Sequence, residues 1–152
     1  MNPQDIVICS PLRTPVGRYG GVFTGVPVQE LATAVVNAIV DKTGLTGDDV
    51  DDLILGQGSP NGSAPALGRV VALDSKLGQN VPGQQLDRRC GSGLQAIVTA
   101  GAHISAGAAD LIIAGGAESM SRTEYTVSGD IRWGVKGGDM QLHDRLAEAR
   151  ET

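Results

Sequence analysis

Short apolar runs that alternate with helix-period segments constrain the fold of this chain more than any other feature. Asp5–Ser10 (DIVICS) is a continuous apolar run ending in PLRTP, the pattern of a buried strand that leads into a loop. From Pro27 the period changes. Leu31, Ala32, Val35, Val36, Ile39 and Val40 recur at helical spacing, with Pro27 suited to the first turn and Gly44 to the stop. Asp51–Gln57 (DDLILGQ) is a second strand, followed by the turn-rich loop GSPNGSAP. Ala66, Val70, Leu73 and Leu77 mark a second amphipathic helix closed by Gly78. Pro82–Arg89 (PGQQLDRR) is a third strand, polar and therefore suited to a sheet edge, where its charges would meet another subunit. A Gly- and Ala-rich helix spans about Gly91 to Ala106, and Asp110–Gly116 (DLIIAGG) is a fourth, strongly apolar strand.

The order is β-α-β-α-β-α-β. Blunt apolar strands joined by helices predict an α/β fold, a mostly parallel or mixed sheet with helices on both faces. After Ala117 no sustained core period returns until a possible helix near Met140. Three clear helices are few for covering both faces of a sheet, so the core is expected to need more polypeptide.

Composition removes several function classes. The 152 residues carry a net charge of −5 and no basic run, which argues against nucleic acid as a partner. No apolar stretch approaches the ~20 residues of a membrane span. The start, MNPQDIVICS, lacks a basic region followed by an apolar segment, so it does not read as a secretory signal. Two cysteines in that context read as thiols of a reducing, cytoplasmic compartment. Asn61-Gly-Ser is then a chance sequon. The acids Asp48–Asp52 (DDVDD) lack the spacing of a calcium loop and read as a solvated turn. No metal site is expected.

The stretch Asp87–Ala96 (DRRCGSGLQA) carries the chemistry. Each glycine inside a helix costs roughly 1 kcal/mol relative to alanine. Two of them beside a cysteine at a helix start therefore need a reason. In one reading Cys90 is a nucleophile. A helix N-terminus stabilises its thiolate, and the same free N–H groups hold the oxyanion formed when a thioester is attacked. Gly91 and Gly93 then leave room for an acyl group. In a second reading, GSGLQA (Gly91–Ala96) is a G-x-G-x-x-A dinucleotide fingerprint. The polar strand before it is wrong for that motif, and the acid that should follow the next strand is misplaced: Asp110 precedes LIIAGG and Glu118 lies too far on. A purely structural turn is the third possibility.

RRCGSGLQAI also resembles the nucleophile motif of the thiolases. RTPVGRYGG (Arg13–Gly21), LGQG (Leu55–Gly58), AGGAESMS (Ala114–Ser121) and GVKGGDM (Gly134–Met140) resemble further thiolase segments in the same order. CGSG favours thiolases over the related ketoacyl synthases. Arg89 departs from the pattern, since family members often carry an apolar residue there.

The resemblance implies a thiolase-like layered fold built of two similar halves with a loop domain inserted in the first. Residues 1–118 would be the N-terminal core half without its last strand, and 119–152 the incomplete start of the loop domain. It implies an acyl-CoA acyltransferase in which Cys90 forms an acyl-thioester and its backbone N–H helps bind the oxyanion. Coenzyme A and acyl-CoA would be substrates, with no tightly bound cofactor. The implied partners are the C-terminal half, on the same or a separate polypeptide, and further copies in a homodimer or homotetramer. The activating histidine and a second cysteine would belong to the absent half; His103 and His143 match neither position and read as structural or surface groups. Met120 would line the pocket with Gly91 and Gly93, or else pack at a helix end. Cys9 reads as a small buried hydrophobe. Arg122, Arg132 and Lys136 read as surface charges, or as groups that offset the acidic net charge near an anionic coenzyme or meet a subunit.

Overall fold

The computed structural model describes residues 5–134 and 136–151, with Glu151 in backbone only. Residues 1–4, Val135 and Thr152, which fall in the two expected domains, lie outside the described residues. Helix α1 spans Val28–Thr43 and follows Pro27, as expected. Gly44 closes it in the left-handed region (φ 74°), with its N–H donating to Val40 O. Strand β1 is Asp52–Gly56, helix α2 Leu67–Asp74, strand β2 Gly83–Leu86, helix α3 Ser92–Ser105 and strand β3 Ile112–Gly116.

The three strands form one parallel sheet in the order β2-β1-β3. β1 is therefore central, which is why Leu53, Ile54 and Leu55 are all buried. The polar β2 is an edge strand, as its composition predicts. It stops at Leu86, so Asp87, Arg88 and Arg89 belong to the following turn. Alternation along β1 separates two cores. Leu53 and Leu55 join α1, α2 and Ile113, while Ile54 packs with Ala96 and Ala100 of α3. Helices thus cover both faces.

α2 ends at Asp74, short of the predicted Gly78, and the predicted stripe is met in part: Leu77 is buried and Val70 packs against the core. Leu67, Gly68, Val71 and Ala72 are inside, whereas Ala66 and Leu73 are exposed. Gly68 sets this rotation. A Cβ there would lie 2.3 Å from Gln84 O and 2.4 Å from Leu53 O, so only glycine lets the helix backbone rest on β1 and β2.

The expected first strand does not form. Asp5–Ser10 makes no sheet pairing, and Ile6, Val7 and Ile8 are 45%, 59% and 73% exposed. Cys9 is exposed with them rather than buried. A strand needs a neighbour for its backbone groups, and among the described residues β3 pairs only with β1. Between β3 and this segment runs an apolar groove of about 1150 Å³, lined also by Leu31, Val35 and Ile39 of α1. The segment is held across the groove by Ile6 against Gly101 of α3, and the loop beyond it by Gly20 N–H donating to Ser121 Oγ (2.9 Å).

The acids after α1 are more than a solvated turn. Asp49 accepts from Thr46 N (2.7 Å), and Asp51 from Asp110 N (2.7 Å) and Leu111 N (3.0 Å), tying the start of β1 to that of β3. Beyond β3 the chain forms a two-residue antiparallel pair, β4 (Tyr125–Thr126) with β5 (His143–Asp144), and helix α4 (Arg145–Glu151). That helix begins five residues after Met140, near which it was expected. Arg145 Nη1 donates to Pro60 O (2.8 Å), and Glu124 accepts from Gly62 N (3.0 Å), so this segment braces the loop after β1.

Candidate active site

Cys90 sits in the turn between β2 and α3, one residue before Gly91, which caps the helix. It is exposed and forms no disulfide, and no side chain among the described residues hydrogen-bonds its thiol. The turn is closed by Gly91 N donating to Arg88 O and Ser92 N to Arg89 O, both at 3.0 Å. The Cys90 N–H takes no part in these bonds.

The residue before the cysteine is strained. Arg89 has φ +50°, which costs a side-chain-bearing residue roughly 1–2 kcal/mol. Asp87 Oδ1 accepts from Arg89 N (2.8 Å), and Arg89 Nη1 donates to Gly58 O (3.2 Å). Ser92, only 3% exposed, holds the other side of the turn. Its Oγ accepts from Arg88 N and donates to Arg89 O, each at 2.7 Å.

The helix start is seated deep on the sheet. A Cβ on Gly56 would lie 2.4 Å from Ser92 C and 2.7 Å from Gly93 N, so the end of β1 must be glycine for α3 to reach it. Gly91 and Gly93 serve differently. A Cβ on Gly93 would meet nothing within 4 Å, and one on Gly91 would come 3.3 Å from Arg88 O. The space beside Gly93 is thus open. Met120, in a 3-10 turn at Met120–Arg122, is 46% exposed and lines the apolar groove with Cys9; Cys90 does not line it.

Two further groups bear on the end of β1 and the loop after it. Gln57 is 1% exposed at the end of β1, and its Oε1 has no partner. Glu118, just past β3, accepts from Gly58 N (2.7 Å) and Ser59 N (3.2 Å). Much of the residue faces solvent, yet its carboxylate is crowded enough that burial pushes its pKa above the ordinary value, against those two hydrogen bonds and with help from nearby Asp87. Glu118 thereby fixes the loop whose Gly58 backs the Arg89 peptide.

The histidines lie apart from this chemistry. His103 is half-buried on α3, and His143 Nδ1 pairs with Glu148 at 3.0 Å. Arg122 donates to Thr24 O (3.1 Å). The dinucleotide reading loses its structural context: β2 is an edge strand, and the acid after β3 is occupied by backbone N–H groups. Among the described residues no group of three or more His, Cys, Asp or Glu could hold a metal, and no helix is long and apolar enough to cross a membrane.

The structure is thus a parallel α/β layer that presents an exposed cysteine on a tight turn at a helix amino end. The family model described as "Thiolase, N-terminal domain" matches residues 6–150. An acetyl-CoA acetyltransferase of Pseudomonas aeruginosa is 39% identical over 145 residues, 95% of this chain and 37% of that protein. Beta-ketothiolase BktB of Cupriavidus necator is 39% identical over 149 residues, 96% of this chain and 37% of its own. The crystal structure of the Bacillus anthracis acetyl-CoA acetyltransferase superposes with a TM-score of 0.83 at 32% identity, over 91% of this chain and 35% of that one. The chain belongs to the thiolase family and corresponds to its N-terminal domain. It spans little more than a third of the length of these relatives.

Proposed function

We propose that this chain is the nucleophile-bearing part of an acyl-CoA C-acyltransferase and works together with a C-terminal thiolase half. Cys90 attacks the thioester carbonyl of one acyl-CoA. The new bond joins Cys90 Sγ to the acyl carbon, the carbon–sulfur bond to coenzyme A breaks, and the thiol proton ends on the departing coenzyme. A second acyl-CoA then loses a proton from its α-carbon, and that carbon attacks the acyl-cysteine; the bond from Cys90 Sγ to the acyl carbon breaks, the proton ends on the released Cys90 thiol, and the product is a 3-ketoacyl-CoA. The reverse is cleavage of a 3-ketoacyl-CoA by coenzyme A. The Cys90 N–H, unused by the turn, serves the oxyanion. Coenzyme A enters as substrate, not as a resident cofactor.

The observation that carries this reading is the exposed Cys90 beside the open space at Gly93, at the mouth of a helix seated on the sheet. The need for a second half is supported by what the site lacks. No base among the described residues touches Cys90, and the free edge of β3 borders a large apolar groove. Residues up to 118 form the core half and residues 119–152 the start of a loop domain, and assembly into dimers or tetramers would cover further apolar surface.

The test is a thiolysis assay on the chain combined with a C-terminal half, with Cys90→Ser as the comparison. Cleavage of a 3-ketoacyl-CoA that disappears in the variant, with its circular dichroism unchanged, supports the proposal. Equal cleavage by the variant refutes it.

A further inference from the structure

We infer that Ser92 is a positioning residue, a lock that holds the strained turn in front of Cys90 in the geometry needed for acyl transfer. This inference rests on the proposal that Cys90 is the nucleophile. Three observations converge on it. Ser92 is almost fully buried, although serine gains little from burial and is usually exposed. Both capacities of its hydroxyl are used, at 2.7 Å each, and they fall on consecutive residues: it accepts from the Arg88 N–H and donates to the Arg89 carbonyl. Between those two contacts lies Arg89 with φ +50°, a conformation that a side-chain-bearing residue keeps only where its surroundings impose it.

The lock acts on Cys90 through the backbone. The Arg89 carbonyl belongs to the peptide whose N–H is that of Cys90, so fixing this oxygen fixes the plane and direction of the Cys90 N–H. Ser92 N donates to the same oxygen at 3.0 Å, which makes the carbonyl doubly held. From the other side, Gly58 lies against the Arg89 peptide, where a Cβ would come 3.0 Å from Arg89 O. Ser92 is itself immobile, because its backbone rests on Gly56. The peptide is thus clamped between a fixed helix start and a fixed loop. If Arg89 relaxed toward the right-handed region, the peptide would swing and carry the oxyanion donor away from the thioester oxygen. The second residue after the nucleophile would then set transition-state geometry without touching substrate.

The inference separates two kinds of reactivity. Acylation by a thioester needs both thiol and oxyanion donor in register. Alkylation by iodoacetamide needs only an accessible thiol. In the full protein, Ser92→Ala is expected to slow acetylation of Cys90 by acetyl-CoA at least tenfold, read on the Cys90 peptide by mass spectrometry. Alkylation should change less than threefold, with Cys9 as an internal reference. Ser92→Thr, which keeps the hydroxyl, should acetylate within threefold of the parent. Asparagine tolerates the left-handed region, so Arg89→Asn should make the lock dispensable, and Ser92→Ala/Arg89→Asn should recover most of the lost rate. A merely structural serine would give no such recovery, since asparagine at position 89 fills no cavity at 92.

Acetylation of folded Ser92→Ala at the parental rate would overturn the lock while leaving the nucleophile in place. So would a folded double variant as slow as the single one. Should Ser92→Ala alone fail to fold, the double variant decides: folded and acetylated supports the lock, unfolded or unreactive overturns it. A parent protein that is never acetylated at Cys90 overturns the nucleophile and the lock together.

Discussion

On one flank of β1, α1 and α2 seal Leu53, Leu55, Val36, Leu67 and Val71 into a continuous core, with Leu67 and Val71 wholly buried. On the other side of β3, the equally apolar Ile6, Val7 and Ile8 stand largely in solvent across a groove of about 1150 Å³. The same residue types have opposite fates within one small chain. Hydrophobicity alone does not make a strand; a partner for the backbone does. The cysteine turn belongs to the finished part. Among the described residues, Gly56, Gly58, Asp87 and Ser92 shape it.

The strongest test of this contrast is a pair of truncations. Leu67→Ala removes a fully buried side chain and is expected to cost about 2–5 kcal/mol. Ile8→Ala, at a residue 73% exposed, should cost less than about 0.5 kcal/mol. Urea unfolding of both variants measures the difference. Equal costs would mean that the amino-terminal segment is packed after all.

Gly56→Ala comes next. Its Cβ has no room beneath the start of α3, and overpacking of this kind costs about 1–3 kcal/mol. The larger consequence should be local, with altered alkylation of Cys90 and unchanged alkylation of Cys9. A variant with normal stability and normal Cys90 reactivity would contradict the seated helix start.

Two carboxylates pin opposite ends of β3 and should respond to pH in opposite senses. Asp51 is held below its ordinary value of 3.8 by hydrogen bonds from the Leu111 and Asp110 N–H groups. Its contribution is present above that value and is lost as pH falls through the depressed pKa. Asp51→Asn should therefore destabilise at neutral pH, by an amount that vanishes in strong acid. Glu118 is raised above its ordinary 4.5, chiefly by burial. Its protonated form is favoured in the fold, so its contribution is present below 4.5 and lost as pH rises through the raised pKa. Glu118→Gln should flatten that part of the stability profile and lose nothing at neutral pH. Thermal melts of both variants between pH 3 and pH 8 check the two signs.

Much of the architecture is legible from pattern alone. The boundaries of α1 follow from Pro27 and Gly44, and the edge position of β2 from the polarity of its segment, although the charges of Asp87, Arg88 and Arg89 fall in the turn beyond the strand. The departures have physical causes. Asp5–Ser10 reads as a strand because burial pattern cannot reveal whether a neighbour exists. The α2 stripe is misplaced in part by the close approach of Gly68 to two strands, a contact between distant residues that periodicity does not contain. At the site, Cys90 is legible through CGSG, and the resemblance to thiolases rests on several such segments. Ser92 is hidden inside the same motif because its role depends on the dihedral angle of Arg89. Glu118 and Gln57 lie inside AGGAESMS and LGQG, but what they do depends on folding partners about sixty residues away or on burial, which those segments do not reveal.

Denaturing mass spectrometry after brief exposure to acetyl-CoA, with the Cys90 and Cys9 peptides resolved, addresses the central claim most directly. The account predicts an acetyl group on Cys90, none on Cys9, and none on either in Cys90→Ser, once the chain is joined with a C-terminal half. An unmodified Cys90 in that assembled protein, or equal labelling of both cysteines, would contradict it.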